Sequence, residues 1–142
     1  MAEMPNDGTL SDFVASKQLA AVVERWARPF EPSADGILFR QGDEPDGVYY
    51  LKAGEATLTM HVADKPTMSI RVAAGSLLGL PSTVGNLPYS LTAKVEGSAE
   101  VYKIKRQEFM RIIDHNSRLC SDVLLILAFE VHSARAALVK LL

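Results

Sequence analysis

The stretch Gly36-Ile37-Leu38-Phe39-Arg40-Gln41-Gly42-Asp43-Glu44-Pro45-Asp46-Gly47-Val48-Tyr49-Tyr50-Leu51-Lys52-Ala53-Gly54-Glu55 sets two short apolar runs between glycine-bearing corners. Ile37-Leu38-Phe39 and Val48-Tyr49-Tyr50-Leu51 are rich in aromatic and branched residues, as strands are. The glycines tolerate the positive φ of tight corners, and alternating apolar residues turn one face of each run toward an interior.

The same rhythm extends from Phe30 to Ile104. Turn signals at Ser33-Ala34-Asp35-Gly36, Gly42 to Gly47, Ala53-Gly54, Ala63-Asp64-Lys65-Pro66, Gly75, Gly85 to Pro88 and Gly97-Ser98 separate further strand-like runs at Ala56 to Met60, Met68 to Val72, Ser90 to Val95 and Val101 to Ile104. Regular short runs with turns between them predict an antiparallel sandwich or roll over about residues 30–104.

Helical periodicity flanks this region on both sides. Leu10, Phe13, Val14, Leu19, Val22, Val23 and Trp26 predict one or two short helices over about residues 10–28, capped at Ser11 and ended by Pro29. Residues 1–9, polar and containing Pro5 and Gly8, are expected to form a flexible leader. Helices over about residues 105–142 complete a single domain, 10–142. The first is Gln107 to Asp114; the second runs from Ser117 to Leu142 without proline and is capped by Asn116 or Ser117. At ~1.5 Å per residue the last helix is about 39 Å long, more than a small roll needs for cover.

Composition narrows the function classes. A chain of 142 residues with 48% hydrophobic content holds one core and has no room for a second globular unit. The net charge of −2 offers no basic surface for nucleic acid, and the last helix carries Glu130, His132 and Arg135, which argue against a membrane span. The N-terminus has neither a cationic segment nor an apolar one of the signal-peptide kind, and the single cysteine, Cys120, forms no internal disulfide, so a cytoplasmic protein is expected. No Gly-x-Ser-x-Gly elbow, P-loop or His-Glu-x-x-His is present, and Asp43, Glu44 and Asp46 sit in a turn where solvated carboxylates are expected, so no catalytic residue and no enzyme activity is assigned.

A second specific stretch is Gly75-Ser76-Leu77-Leu78-Gly79-Leu80-Pro81-Ser82-Thr83-Val84-Gly85-Asn86-Leu87-Pro88-Tyr89-Ser90-Leu91-Thr92-Ala93. It resembles the phosphate-binding cassette of the cyclic-nucleotide-binding superfamily, and the Gly36 to Glu55 stretch resembles the opening repeat of the same domains. With the order of helices, the likeness covers nearly the whole chain and is closest to the effector domains of the CRP/FNR bacterial regulators. It implies a mainly β fold with flanking helices, a double-stranded β-helix (jelly roll) followed by a long C-terminal helix. It also implies a ligand pocket at Leu78, Gly79, Leu80, Ser82, Thr83, Tyr89 and Ser90, with Ala134 and Arg135 of the last helix near its opening.

Family members that bind cyclic nucleotides use backbone amides at a short helix N-terminus, an Arg on the phosphate and a Glu on the ribose. Here Leu80 stands at the Glu position and Tyr89 at the Arg position. A charge-assisted bond contributes about 1.5–3 kcal/mol, so losing both weakens binding by several powers of ten. If the cassette geometry is intact, Leu80→Glu with Tyr89→Arg is expected to create affinity. Two readings of the replacements stay open: an aromatic-lined pocket for a flatter, more apolar effector, or a vestigial pocket filled by these side chains. Haem-sensing relatives make His61, His115, His132 and Cys120 formal candidates for an axial ligand, but none forms a spaced pair, and no cofactor or metal is required.

The functional expectation is a regulatory or sensor domain of CRP/FNR type with a degenerate cassette, taking a small-molecule effector. The alternatives are a cyclic-nucleotide-binding module or the effector part of a transcription regulator whose DNA-binding part is absent, and a structural interaction module. Relatives carry a helix-turn-helix domain after the long helix; the chain stops at Leu142, so nucleic-acid binding by this chain alone is not expected. Finally, Cys120, Leu124, Leu127, Val131, Ala134, Leu138 and Leu141 follow spacings of 4, 3, 4, 3, 4 and 3, a heptad seam, whereas Leu119, Val123 and Ile126 face the chain's own roll. The seam predicts a homodimer through the last helix.

Overall fold

The computed structural model describes residues 9, 10 and 13–141. The strand from Gly47 to Ala53 (β4) shows how the molecule is built, because Val48, Tyr49, Tyr50 and Leu51 are all buried although the pleat sends neighbours to opposite faces. Tyr49 and Leu51 join a core drawn from both sheets of a β-roll, with Leu38, Phe39, Leu58, Leu78, Tyr89 and Val95. Val48 and Tyr50 point the other way, into a second core made with Leu19, Val23, Phe109, Ile113, Leu119, Val123 and Ile126 of the helices. One strand therefore separates a roll interior from a helical layer.

Two sheets form the roll. In chain order the strands are Thr9–Leu10 (β1), Arg28–Pro29 (β2), Ile37–Phe39 (β3), β4, Ala56–Val62 (β5), Lys65–Val72 (β6), Leu77–Leu78 (β7), Thr92–Val95 (β8) and Glu100–Lys105 (β9). One sheet has the order β1-β6-β5-β8-β3 and the other β2-β9-β4-β7. Pairing is antiparallel except between β1 and β6. The helices are Lys17–Trp26 (α1), Leu80–Gly85 (α2), Arg106–Asp114 (α3) and Ser117–Leu141 (α4). This is the expected jelly roll with flanking helices and a long final helix.

Gly36 illustrates why a corner needs glycine. It has φ +81°, and a Cβ there would stand 2.2 Å from the Val95 carbonyl oxygen. The close approach lets the Val95 N–H donate to the Gly36 carbonyl at 2.9 Å. The hairpin between β5 and β6 turns on Ala63 and Asp64 alone, at φ 52° and 63°, so Lys65 and Pro66 of the expected four-residue turn belong to β6. Among the described residues β1 reaches β6 only at Arg71 and Val72, and no described strand lies outside Pro66 to ask for its missing N–H.

The N-terminal expectation needs correction. Instead of helix over about 10–28, Thr9–Leu10 pairs with β6, and Phe13 to Ala15 bond to the corner before β7: the Leu77 N–H donates to Phe13 O at 2.9 Å and the Ala15 N–H to Gly75 O at 2.9 Å. Backbone groups committed to that corner are not available to a helix. Helix starts at Lys17, capped by Ser16, whose Oγ accepts from the Leu19 N–H; Ser11 lies outside the described residues, as do residues 1–8 of the expected leader. Arg28–Pro29 then pairs with β9, two residues before the expected start of the roll.

Asn116 caps α4, its Oδ1 accepting from the Leu119 N–H at 3.3 Å. Leu119, Val123 and Ile126 are each 3% exposed, so this stripe covers the chain's own core as the spacing predicts. Ser16 ties the two ends of the helical layer together, because its hydroxyl donates to Asp122 Oδ2 of α4 at 2.8 Å. Ser16→Ala removes both the cap and this bond, and should lower stability by about 1–2 kcal/mol in urea unfolding; an unchanged midpoint would contradict the role given to the cap.

Candidate ligand cavity

A cavity of about 270 Å³ opens between the roll and α4. Leu58 and Met60 of β5 and Met68 and Ile70 of β6 form one wall, and Phe13, Phe39 and Leu78 form the floor. The segment from Gly79 to Leu91 contributes Gly79, Pro81, Ser82, Tyr89, Ser90 and Leu91, while α4 lays Leu127, Glu130 and Val131 across the opposite side. Glu130 is the sole charged side chain among the described lining residues.

The Gly79 to Leu91 segment is held by bonds directed away from the cavity. Gly79 enters α2 at φ +81°, and a Cβ there would lie 2.8 Å from Tyr89 Cε1. That space lets the Tyr89 ring stack on Phe39 with centroids 4.0 Å apart. The Tyr89 hydroxyl accepts the Gly47 N–H at 3.1 Å and lies within donating distance of Asp46 Oδ1, at 2.8 Å, and of Gly47 O, at 2.6 Å. Burial first, and then the Asp46 carboxylate, push this phenol well above its ordinary range. Ser82 donates to the Pro88 carbonyl at 3.1 Å and Thr83 to the Gly47 carbonyl at 2.9 Å. Both hydroxyls of α2 are therefore engaged in holding the loop.

Asp46 is exposed, as its turn suggested, and it is also bonded. Lys103 Nζ lies 2.6 Å from Oδ2, and the Tyr49 hydroxyl donates from 3.3 Å. Burial pulls this carboxyl upward, but the bonds from Lys103 and Tyr89 outweigh it and hold it below the usual range.

The structure brings together Leu78, Gly79, Ser82, Tyr89 and Ser90 of the expected pocket. It places Leu80 and Thr83 elsewhere: both are 0% exposed, and Leu80 packs in the helical core beside Leu19, Leu77 and Phe109. The pleat explains this, since Leu78 faces the roll and Leu77 the helices, and α2 begins on the helical side. A carboxylate at position 80 would start among these apolar helices, which counts against the expectation that Leu80→Glu with Tyr89→Arg creates affinity. Arg135 is exposed and outside the lining, and the Ala134 side chain lies outside the described residues.

Along the expected seam, Cys120 and Leu127 are half-buried, Leu124 and Val131 are 64% and 55% exposed, and the side chains of Leu138 and Leu141 lie outside the described residues. Leu125 and Phe129 are exposed as well, so the apolar surface of α4 is wider than the heptad alone. Cys120 Sγ donates to the Ile113 carbonyl at 3.2 Å, His115 Nδ1 lies 2.8 Å from the Arg111 carbonyl, and His61 and His132 are exposed; none of the four lines the cavity.

Sequence reasoning missed Glu130. The signal was present, since Leu119, Val123, Ile126 and Glu130 continue one stripe at spacings of 4, 3 and 4, placing an acid in line with buried apolar residues. Its Oε2 is buried without a hydrogen-bond partner, and burial pushes the carboxyl up to about 8 from an ordinary 4.5. The folded state therefore keeps a proton that the unfolded chain releases. Stability from this group is full below pH 4.5, declines as pH rises from there to about 8, and is level above. Glu130→Gln should raise the melting temperature by several degrees at pH 8 and change it little at pH 4.5; an equal effect at both values would contradict an acid confined in an apolar cavity.

Comparison with known proteins agrees with this architecture. The chain is 30% identical, over 95 residues, to the potassium channel KAT3 of Oryza sativa subsp. japonica, covering 67% of this chain and 18% of the channel. The Thermus thermophilus catabolite activator protein superposes with a TM-score of 0.71 at 17% identity, over 89% of this chain and 60% of that one. A cyclic nucleotide-binding domain from Methylobacillus flagellatus gives 0.67 at 16% identity, over 88% and 71% of the two chains. These structural likenesses show the fold, and the chain spans only part of the channel and of the activator. The family model of the cyclic nucleotide-binding domain matches residues 31–116, more than half of the sequence, and the chain belongs to that family.

Proposed function

We propose that this chain is a regulatory sensor domain whose effector enters the cavity between the β-roll and α4, and that it does not hold cyclic nucleotides tightly. The lack of a cation supports this most: a cyclic phosphate entering here meets no Arg or Lys among the described lining residues. Anion sites in low-dielectric surroundings depend on a paired cation or on free donors. At the positions where the family resemblance expects the Arg and Glu, Tyr89 is bonded inward to Asp46 and Gly47, and Leu80 is buried in the helical core. The hydroxyls of Ser82 and Thr83 already serve backbone carbonyls.

An open volume of about 270 Å³ counts against the reading in which Leu80 and Tyr89 fill a vestigial pocket. The domain fits the effector part of a CRP/FNR-type transcription regulator or of another switchable assembly. We place it in the cytoplasm and assign it no nucleic-acid surface of its own, on its net charge of −2; no described helix is long and apolar enough to cross a membrane. We further propose that a second copy covers the exposed apolar side of α4, where Leu124 and Val131 continue the heptad seam.

Titration calorimetry with cAMP and with cGMP should find no binding of micromolar strength or tighter, and such binding would overturn the cavity reading. Leu124→Asp should convert a sedimenting dimer to a monomer with the β-roll intact, since this side chain is 64% exposed and outside the cavity. Wild-type protein sedimenting as a monomer at micromolar concentration would refute the dimer.

A further inference from the structure

Building on the sensor reading, we propose that the effector is an apolar monoamine, a hydrocarbon or single-ring body bearing one ammonium, whose nitrogen pairs with Glu130 while its body lies against Met60, Met68, Ile70 and Leu91. Size, polarity and charge converge on this class. A cavity of about 270 Å³ takes a small body rather than a large one. Apart from Glu130 and the hydroxyls of Ser82 and Ser90, its walls are thioether, aliphatic and aromatic carbon, which suit such a body better than a polyhydroxylated or phosphorylated one.

Glu130 supplies the recognition. Its Oε2 is the one buried side-chain oxygen or nitrogen without a partner among the described residues. The other titratable lining residue, Tyr89, has its hydroxyl turned to Asp46 and Gly47, and on α4 itself His132 and Arg135 are exposed and outside the lining. Among the described residues no neighbour competes for the carboxyl, and burial raises its proton affinity. An entering ammonium replaces that proton: protonated Glu130 loses H⁺ to solvent, and the resulting carboxylate pairs with the ligand's –NH₃⁺. Because Oε2 is buried, removing either partner of the pair leaves the other buried and unpaired.

The test compares 2-phenylethylamine, 2-phenylethanol and 3-phenylpropanoate on the wild-type chain and on Glu130→Gln, by calorimetry at neutral pH. The methyl NMR signals of Met60 and Met68 report cavity occupancy. The proposal expects the amine to bind at least about tenfold more tightly than the alcohol, to shift both methyls, and to release protons in buffers of different ionisation enthalpy. In Glu130→Gln the preference and the proton release should vanish while the alcohol still binds. Alcohol and amine binding equally in the wild type, with shifted methyls, would overturn the role of Glu130 and leave the sensor cavity standing. Unshifted methyls with every ligand would overturn both.

Discussion

The geometry of the cavity depends on the backbone of Asp46 and Gly47. The Tyr89 hydroxyl bonds to the Gly47 N–H, Thr83 donates to the Gly47 carbonyl, and the first N–H of α3, that of Arg106, donates to the Asp46 carbonyl at 3.0 Å. Arg106 Nε then closes the circuit on the Thr83 carbonyl at 2.9 Å. Three elements distant in sequence, the start of β4, the segment carrying α2 and the start of α3, are thereby fixed on two residues. The bonds from the Gly47 N–H to Tyr89 and from Thr83 to the Gly47 carbonyl are buried, where an unmade partner is costly. The same circuit fixes what the cavity is not: Tyr89, Ser82 and Thr83 direct their polar atoms at the backbone, so the wall they leave is apolar.

The second constraint is the pleat of β4. Tyr49 and Leu51 fill the roll, while Val48 and Tyr50 anchor the helices, and no residue of that strand can change sides without a register slip. α4 is therefore docked on a fixed floor through Leu119, Val123 and Ile126. One turn further along, the helix passes over the roll's opening and brings Leu127, Glu130 and Val131 to the cavity. An effector in that space touches both the roll and α4 at once. This arrangement suits a domain whose output is carried by a helix, because a ligand bridging two elements shifts their equilibrium by its differential affinity for the two arrangements.

Much of this was legible in the sequence, for identifiable reasons. The strands Ile37–Phe39 and Val48 to Leu51 and the inward stripe of α4 were clear because period and punctuation agreed, and the two cassette stretches carried the family. The N-terminal segment was misread because Phe13 and Val14 share helical spacing with Leu19 and Val23, yet their backbone is claimed by the corner at Gly75 to Leu77. The two-residue strand β7 was too short to announce itself, and its presence decides that Leu80 turns to the helices and away from the cavity. Glu130 was read only as a charge unsuited to a membrane. What makes it a candidate ligand group is the absence of a partner, and that depends on residues from β5, β6 and the cassette, which spacing along one helix does not encode.

The account rests on an acid enclosed in an apolar cavity, and the titration of Glu130 itself tests this most directly. With ¹³C-labelled carboxyl groups followed by NMR through a pH series, and Glu130→Gln identifying the signal, Glu130 should titrate near 8. A midpoint near its ordinary value of 4.5 would mean that water or a partner reaches the carboxyl, and would contradict the apolar cavity on which the functional reading stands.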